Sequence, residues 1–355
     1  MIKALFNTKN IIACCLLVLL CSCSKTPEKE MLTYKHSIFS FGTIIDISIY
    51  GVDEKKAEEA FDQLEADFRY MHITWHPLLK NAIGRNNSLI ASTEWFSDAP
   101  SVRPLLVEAS KLATASENLF NPAIGKLIRL WGFNTSEHET GIPPDENTIK
   151  DLVSKQPSLN NLEINDIQLR SNNPDVSLNF GGFAKGYGIR QEMAMLAGMG
   201  IKHAIINAGG DLEVMGQHGE RPWRIGIIHP RKKDTVLAYL DVSGNESVFT
   251  SGDYERFFIY DNNRYHHIID PRTGYPAQGV QSVTVIHSDA AVADAAATAL
   301  FVAGVKDWHR IAHAMGISYV LLIDENGTAH MNPKMQARIK FQQAPDKVQL
   351  SQPLP

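Results

Sequence analysis

Residues 176–211 read VSLNFGGFAKGYGIRQEMAMLAGMGIKHAIINAGGD, and this stretch decides how the rest of the chain is assembled. Its two apolar runs, 176–180 and 203–207, end in turn residues, which predicts two strands. A helix is expected between them, over about 184–199. Downstream, several short strands follow one another from Trp223 to Ile286, and an alanine-rich helix over 290–302 precedes a last strand over 319–323. Upstream, β-branched and aromatic residues predict a strand over 38–50, and 53–71 has the charge mix and apolar spacing of an amphipathic helix. A further helix covers 102–116. Asn121-Pro122 has the form of a helix start, followed by apolar Ile124, Leu127, Ile128 and Trp131, with Gly132 as the stop. A loop rich in proline and acids lies at 141–146. Clustered strands bracketed by helices predict an α+β fold rather than a regular doubly wound sheet. No internal repeat is visible.

The 355 residues are 44% hydrophobic and 21% charged, which excludes collagen-like, coiled-coil and largely disordered chains. A net charge of −5 argues against a general nucleic-acid binder, which needs excess lysine and arginine to displace phosphate counterions. One local site can still hold a small anion. From Gln342 the chain is rich in glutamine and proline, the composition of a loose tail.

All four cysteines, Cys14, Cys15, Cys21 and Cys23, fall in the first 23 residues, so no thiol remains for chemistry in the body. That segment opens with Lys3 and Lys9, carries no acid, and runs apolar over 11–20. The run is too short to span a bilayer comfortably, and the pattern is that of a signal peptide. Leu20-Cys21-Ser22-Cys23 also resembles a bacterial lipobox, in which a small residue precedes the lipidated cysteine. Ser22 singles out Cys23, while bulky Leu20 disfavours Cys21. The expected organisation is a signal peptide over 1–22, a tether over 23–36, a folded body over 37–341 and a disordered tail over 342–355. With no other cysteine, the mature chain tolerates an oxidising periplasm and has no disulfide to form.

Several segments of the body carry groups able to do chemistry. Gly181-Gly182-Phe183-Ala184-Lys185-Gly186 joins a predicted strand to a predicted helix, where backbone N–H groups can hold a phosphate and Lys185 adds charge. It is not a Walker loop, because the lysine precedes its glycine and no Ser or Thr follows; a close-packing turn is the plain alternative. Asn207-Ala208-Gly209-Gly210-Asp211 lets backbone approach a ligand and offers a carboxylate, and a simple strand-to-strand turn reads equally well. Asp294 and Thr298 stand four apart in the alanine-rich helix and so share a face. Both are hard oxygen donors suited to Mg²⁺, although Asp294 could instead pair with a cation and Thr298 bond back to its own helix. Thr250-Ser251-Gly252-Asp253-Tyr254-Glu255 and His266-His267-Ile268-Ile269-Asp270-Pro271-Arg272-Thr273-Gly274 are dense in polar groups. Neither has the spacing of a zinc protease or of a serine nucleophile elbow, and Asp270 through Gly274 is also a good turn.

Taken together and in this order, these segments resemble the ApbE family of FAD:protein FMN transferases. The resemblance runs from about Ile38 to Gly304 and includes Phe41-Gly42-Thr43, Phe120 through Phe133, Ala184-Lys185-Gly186, Gly209-Gly210-Asp211, Thr250 through Arg256, His267 through Pro276, and Asp294 with Thr298. It implies a mainly antiparallel sheet with flanking helices, and an enzyme that attaches FMN from FAD to a threonine or serine through a phosphoester, releasing AMP. It further implies Mg²⁺ held by Asp294, Thr298 and a carbonyl around Ala184. Lys185 and Gly186 would lie on the phosphates, and Gly209, Gly210, Asp211, Ser251 and Tyr254 in the nucleotide pocket. His267 is the candidate base, since an imidazole accepts a proton near neutral pH; a histidine that only positions substrate is its alternative. Family members are commonly periplasmic lipoproteins, in keeping with Cys23. The family usually has Met where Phe41 stands, which would alter the shape of a flavin contact. Residues 76–87 also depart from the family's usual Ser-Glu and Leu-Asn pattern, so no role is assigned there.

Two other activities are open to the same residues: hydrolysis of FAD to FMN and AMP, and flavin binding without turnover. Known acceptors of the family are redox proteins with a Ser/Thr-Gly-Ala-Ser/Thr motif. This chain contains no Gly-Ala dipeptide, which casts it as donor enzyme rather than carrier.

Overall fold

The structure, a computed structural model, describes residues 32–77, 79–133 and 141–355. The signal peptide and Cys23 lie outside the described residues. Nine strands form the main sheet: β1 (Thr33–Ser40), β2 (Thr43–Tyr50), β3 (Ala204–Ala208), β4 (Asp211–Met215), β5 (Glu246–Gly252), β6 (Val280–His287), β7 (Tyr319–Asp324), β8 (Ala329–Met331) and β9 (Val348–Leu350). Their order in space is their order in the chain. Each pairs antiparallel with the next, except that β9 joins β8 in parallel.

The four longest helices among the described residues are α1 (Glu54–Trp75), α2 (Arg103–Ala115), α3 (Ala184–Gly198) and α4 (Ala290–Ala314). The first three belong to the long excursion between β2 and β3, and α4 connects β6 to β7. Asp53 starts α1 by accepting the Lys56 N–H at 2.9 Å, and Asp289 does the same for α4 with the N–H groups of Ala291 and Val292. Gly304, at φ +68°, breaks α4 into two segments. Among the described residues no helix is long and apolar enough to cross a membrane.

Strand alternation explains the layers. Ile45, Ile47 and Ile49 of β2, with Val283 and Val285 of β6, face the helices in the larger core. Leu212, Val214, Val248, Ile286 and Leu321 face the other way, onto a small sheet made of Trp223–Ile228, Val236–Val242 and Lys340–Phe341. β6 is therefore covered on both faces, and all of its residues but the last are buried. A third cluster gathers Ile124, Leu127, Trp131, Phe133, Ile149 and Ile269 beside the polar loops that follow β5.

The α+β expectation holds, with corrections in detail. The strand expected over 38–50 is a hairpin, turned by Phe41-Gly42, and its first strand begins at Thr33 rather than Ile38, within the stretch expected to be tether. The strand expected over 176–180 makes a single bridge, Ile124 to Ser177. Its other backbone bonds run to the irregular segment 122–125, with the Ser177 N–H donating to the Ala123 carbonyl at 3.0 Å and the Asn179 N–H to that of Pro122 at 2.8 Å, while the Asn87 side chain accepts the Leu178 N–H at 2.6 Å and donates to the Leu178 carbonyl at 3.0 Å. The helix expected to start at Asn121-Pro122 begins at Gly125, because the Pro122 and Ala123 carbonyls accept from Asn179 and Ser177 instead of from the helix, and Asn121 Oδ1 caps only the Ala123 N–H. The stretch read as a loose tail carries β9, and its Leu354 is buried; the apolar residues between its polar ones have a sheet edge to dock on.

Candidate active site

The turn between β3 and β4 places one half of the site. Gly209 and Gly210 both have positive φ, +67° and +104°, which glycine adopts without strain. A Cβ at Gly209 would sit 2.5 Å from the Thr43 hydroxyl, so the close approach of the β1–β2 hairpin also requires glycine there. Asp211 follows as the first residue of β4 and is buried; one carboxylate oxygen accepts the Thr250 N–H at 2.9 Å and the other pairs with Lys185. Lys185 comes from the first turn of α3. Burial works against its charge, but Asp211, Glu255 and Asp294 outweigh it and hold the ammonium above its ordinary pKa. It is therefore a fixed cation.

The contact of α3 with α4 places the other half. At Gly186 a Cβ would run into the Ala290 carbonyl and the Cβ of Asp294, so only glycine lets the helices meet at this depth. The Gly186 N–H then donates to the Asp294 carboxylate at 2.9 Å. Thr298 lies one turn further on, its hydroxyl 3.4 Å from that of Ser251 at the end of β5. Asp294 is 5% exposed, and burial, with Asp211 nearby, pushes its pKa well above the ordinary carboxylate range. Its carboxylate and the Thr298 hydroxyl are hard oxygen donors of the kind a divalent cation takes. The space beside these oxygens is kept open by Gly182, where a Cβ would approach the Thr298 hydroxyl to 2.9 Å.

His267 is half-buried and donates its backbone N–H to the Arg256 carbonyl at 3.1 Å. Its Nδ1 is buried without a hydrogen-bond partner among the described residues. Burial first, then Arg256, His266 and Lys185, lower its pKa well below the ordinary histidine value, so the ring is neutral at pH 7 and has an acceptor to offer. The adjacent His266 is committed otherwise, with Nε2 2.8 Å from the Ala277 carbonyl. Tyr254 packs under Gly252, and burial, together with the carboxylates of Glu255, Asp211 and Asp253, raises its phenol so that it stays a donor.

These parts come from segments far apart in sequence, and the ApbE family model matches residues 41–321, which contain all of them. The chain belongs to the ApbE family. A FAD:protein FMN transferase of Rhodobacter capsulatus is 40% identical over 304 residues, covering 86% of this chain and 58% of that protein. One from Vibrio cholerae is 28% identical over 321 residues, covering 88% of this chain and 93% of its own length. Among solved structures, the ApbE protein of Thermotoga maritima superposes with a TM-score of 0.79 at 30% identity, covering 86% of this chain and 99% of that one. The flavin transferase ApbE of Vibrio cholerae gives 0.75 at 25%, covering 87% and 99%.

In this ApbE chain the sequence-derived site residues Phe41, Ala184, Lys185, Gly186, Gly209, Gly210, Asp211, Ser251, Tyr254, His267, Asp294 and Thr298 gather around one end of the main sheet. Ala184 is the first residue of α3 and is buried. Phe41 occupies the hairpin turn at φ +52°, a conformation that costs a bulky residue on the order of 1–3 kcal/mol. Its ring stacks on Trp75 at 6.2 Å and meets Phe68 edge-on, and a Cβ at Gly188 of α3 would lie 3.4 Å from it. Cys23 falls outside the described residues. Four neighbours were given no role from sequence: Glu255 and Arg256, whose charges act on Lys185 and His267, and Asp253 with Arg231, a two-pronged ion pair at 2.6 and 2.7 Å. The first three sit inside the polar segment over 250–256 that the sequence marked as a block. Nothing local marks Arg231, which arrives from the small sheet's connecting loop.

Proposed function

We propose that this protein is a Mg²⁺-dependent FAD:protein FMN transferase, which moves FMN from FAD to a threonine or serine hydroxyl of an acceptor protein and releases AMP. The observation that carries this reading is the convergence, at one sheet end, of a fixed cation (Lys185 on Asp211), a cation-seeking oxygen set (Asp294, Thr298) and a neutral imidazole with a free Nδ1 (His267). Such a set suits phosphoryl chemistry, which depends chiefly on positioning and charge neutralisation.

Lys185 binds pyrophosphate oxygens, with Gly186 beside it holding Asp294 in place, while Gly209 and Gly210 let backbone approach the nucleotide and Ser251 and Tyr254 donate to it. Phe41 borders the flavin. His267 takes the proton as the acceptor oxygen bonds to the FMN-side phosphorus; the bond from that phosphorus to the bridging oxygen breaks, and AMP leaves with the oxygen. Asp294, Thr298 and a carbonyl at Ala184 would hold Mg²⁺, and the hard-oxygen donor set and the room left by Gly182 fit that ion. Bound there, Mg²⁺ supplies charge neutralisation on the pyrophosphate. The acceptors are redox proteins bearing a Ser/Thr-Gly-Ala-Ser/Thr motif, and the enzyme works in the periplasm, tethered to a membrane through lipidated Cys23.

AMP release from FAD, followed with and without Mg²⁺ and with and without such an acceptor, tests the reading. Release that needs both supports transfer. Release that needs Mg²⁺ alone at an undiminished rate identifies hydrolysis, and none under any condition leaves a flavin binder.

A further inference from the structure

The β1–β2 turn raises a question that the transferase chemistry leaves open. A two-residue hairpin turn of type I′ needs positive φ at both positions, a requirement that favours Asn, Asp or Gly, yet the first position here is Phe41, at +52° beside Gly42 at +74°. In such a turn the N–H of the first residue has no partner across the hairpin. Here it has one from outside: the Phe41 N–H donates to Nδ1 of His72 at 3.2 Å. The imidazole also meets the Phe41 ring edge-on at 6.4 Å, and His76, one turn along α1, meets His72 at 5.6 Å. Trp75, from the same turn of α1, stacks on Phe41 and meets Tyr187 of α3 edge-on at 5.6 Å. The hairpin tip is thus fastened to α1 by one hydrogen bond and one aromatic stack, with the Gly188 face of α3 beneath it.

We propose that His72 is a positioning residue, which holds the Phe41-Gly42 turn in its left-handed geometry and so sets the aromatic wall that the flavin of FAD meets. The inference rests on the transferase reading for its ligand, but not for its geometry. Accepting from Phe41 requires a bare Nδ1, so the ring proton belongs on Nε2. His72 touches none of the phosphate, metal or base groups. Its loss therefore acts on how FAD is seated and leaves the chemical step alone, a pattern that separates KM from kcat.

Two variants test this. Leucine at 72 keeps the apolar bulk and removes the acceptor, whereas asparagine sets a carbonyl oxygen close to where Nδ1 stood. Amide hydrogen exchange at Phe41, read by NMR in flavin-free protein, should quicken about tenfold in His72→Leu and return towards wild type in His72→Asn, as loss and restoration of one hydrogen bond require. KM for FAD in the AMP-release assay should rise by a similar factor in His72→Leu, with kcat within about twofold, and recover in His72→Asn. Unchanged exchange at Phe41 in His72→Leu, or no recovery in His72→Asn, overturns the proposal; so does a fall in kcat at constant KM. If wild-type protein releases no AMP at all, the transferase reading fails, and exchange at Phe41 still decides whether His72 holds the turn.

Discussion

His267 and Asp294 carry opposite burdens. Burial and nearby cations strip the proton from His267, while burial and a neighbouring carboxylate press one onto Asp294. If His267 is the base proposed here it must be neutral to act, and activity should fall as pH drops through its pKa, which lies below the ordinary value of 6.5. Under saturating FAD, Mg²⁺ and acceptor, the acidic limb of the pH–rate profile should therefore lie below pH 6.5. His267→Ala should lower transfer by about 10²–10⁴-fold and abolish that limb while FAD still binds. An acidic limb that persists without His267 would assign the proton to another group. At Asp294 the charge sets the demand for cation. Asp294→Asn keeps the shape and the acceptor for the Gly186 N–H but removes the charge, so the Mg²⁺ concentration for half-maximal AMP release should rise at least about tenfold with little change in melting temperature. Normal turnover at low Mg²⁺ would make Asp294 a structural residue.

Between elements, the decisive contact is α3 against α4, where a single glycine sets the separation. Gly186→Ala puts a methyl against the Ala290 carbonyl and the Asp294 Cβ, so the helices must part or the chain must unfold. Overpacking of this kind typically costs about 1–3 kcal/mol, and here it also shifts Lys185 and Asp294 together. Thermal melting and AMP release should both suffer; a variant with wild-type melting and turnover would contradict the packing account. At this scale the sequence was only partly legible. The four-residue spacing of Asp294 and Thr298 and the glycine pairs at 181–182 and 209–210 could be read directly, because helix period and backbone freedom are local properties. The hairpin at Phe41-Gly42 could not, since a bulky residue at positive φ runs against turn preference and is held by α1, more than 30 positions along the chain. The run at 176–180 has strand composition, but its partners are the irregular segment 122–125 and the Asn87 side chain in place of a neighbouring strand. The role of residues 76–87 was hidden for the same reason, as Asn81 starts the helix Ala82–Ile90 and Asn87 reaches a segment 91 positions away.

Over the whole molecule, a sheet whose spatial order follows the chain still draws its site from distant segments, because the excursion between β2 and β3 delivers α3 to the end of the sheet where β4 and β5 present Asp211 and Ser251. The α+β class was visible in the clustering of strands. The closing strand β9 was not, because polar residues around a few apolar ones read as tail until a sheet edge is available to receive them. Transfer of FMN to a protein hydroxyl is read out without ambiguity by mass spectrometry. The soluble body, incubated with FAD, Mg²⁺ and a redox protein carrying a Ser/Thr-Gly-Ala-Ser/Thr motif, should add the mass of one FMN, less water, to the acceptor's motif hydroxyl and release an equal amount of AMP. An acceptor of unchanged mass, with free FMN and AMP accumulating in its presence, would contradict the account.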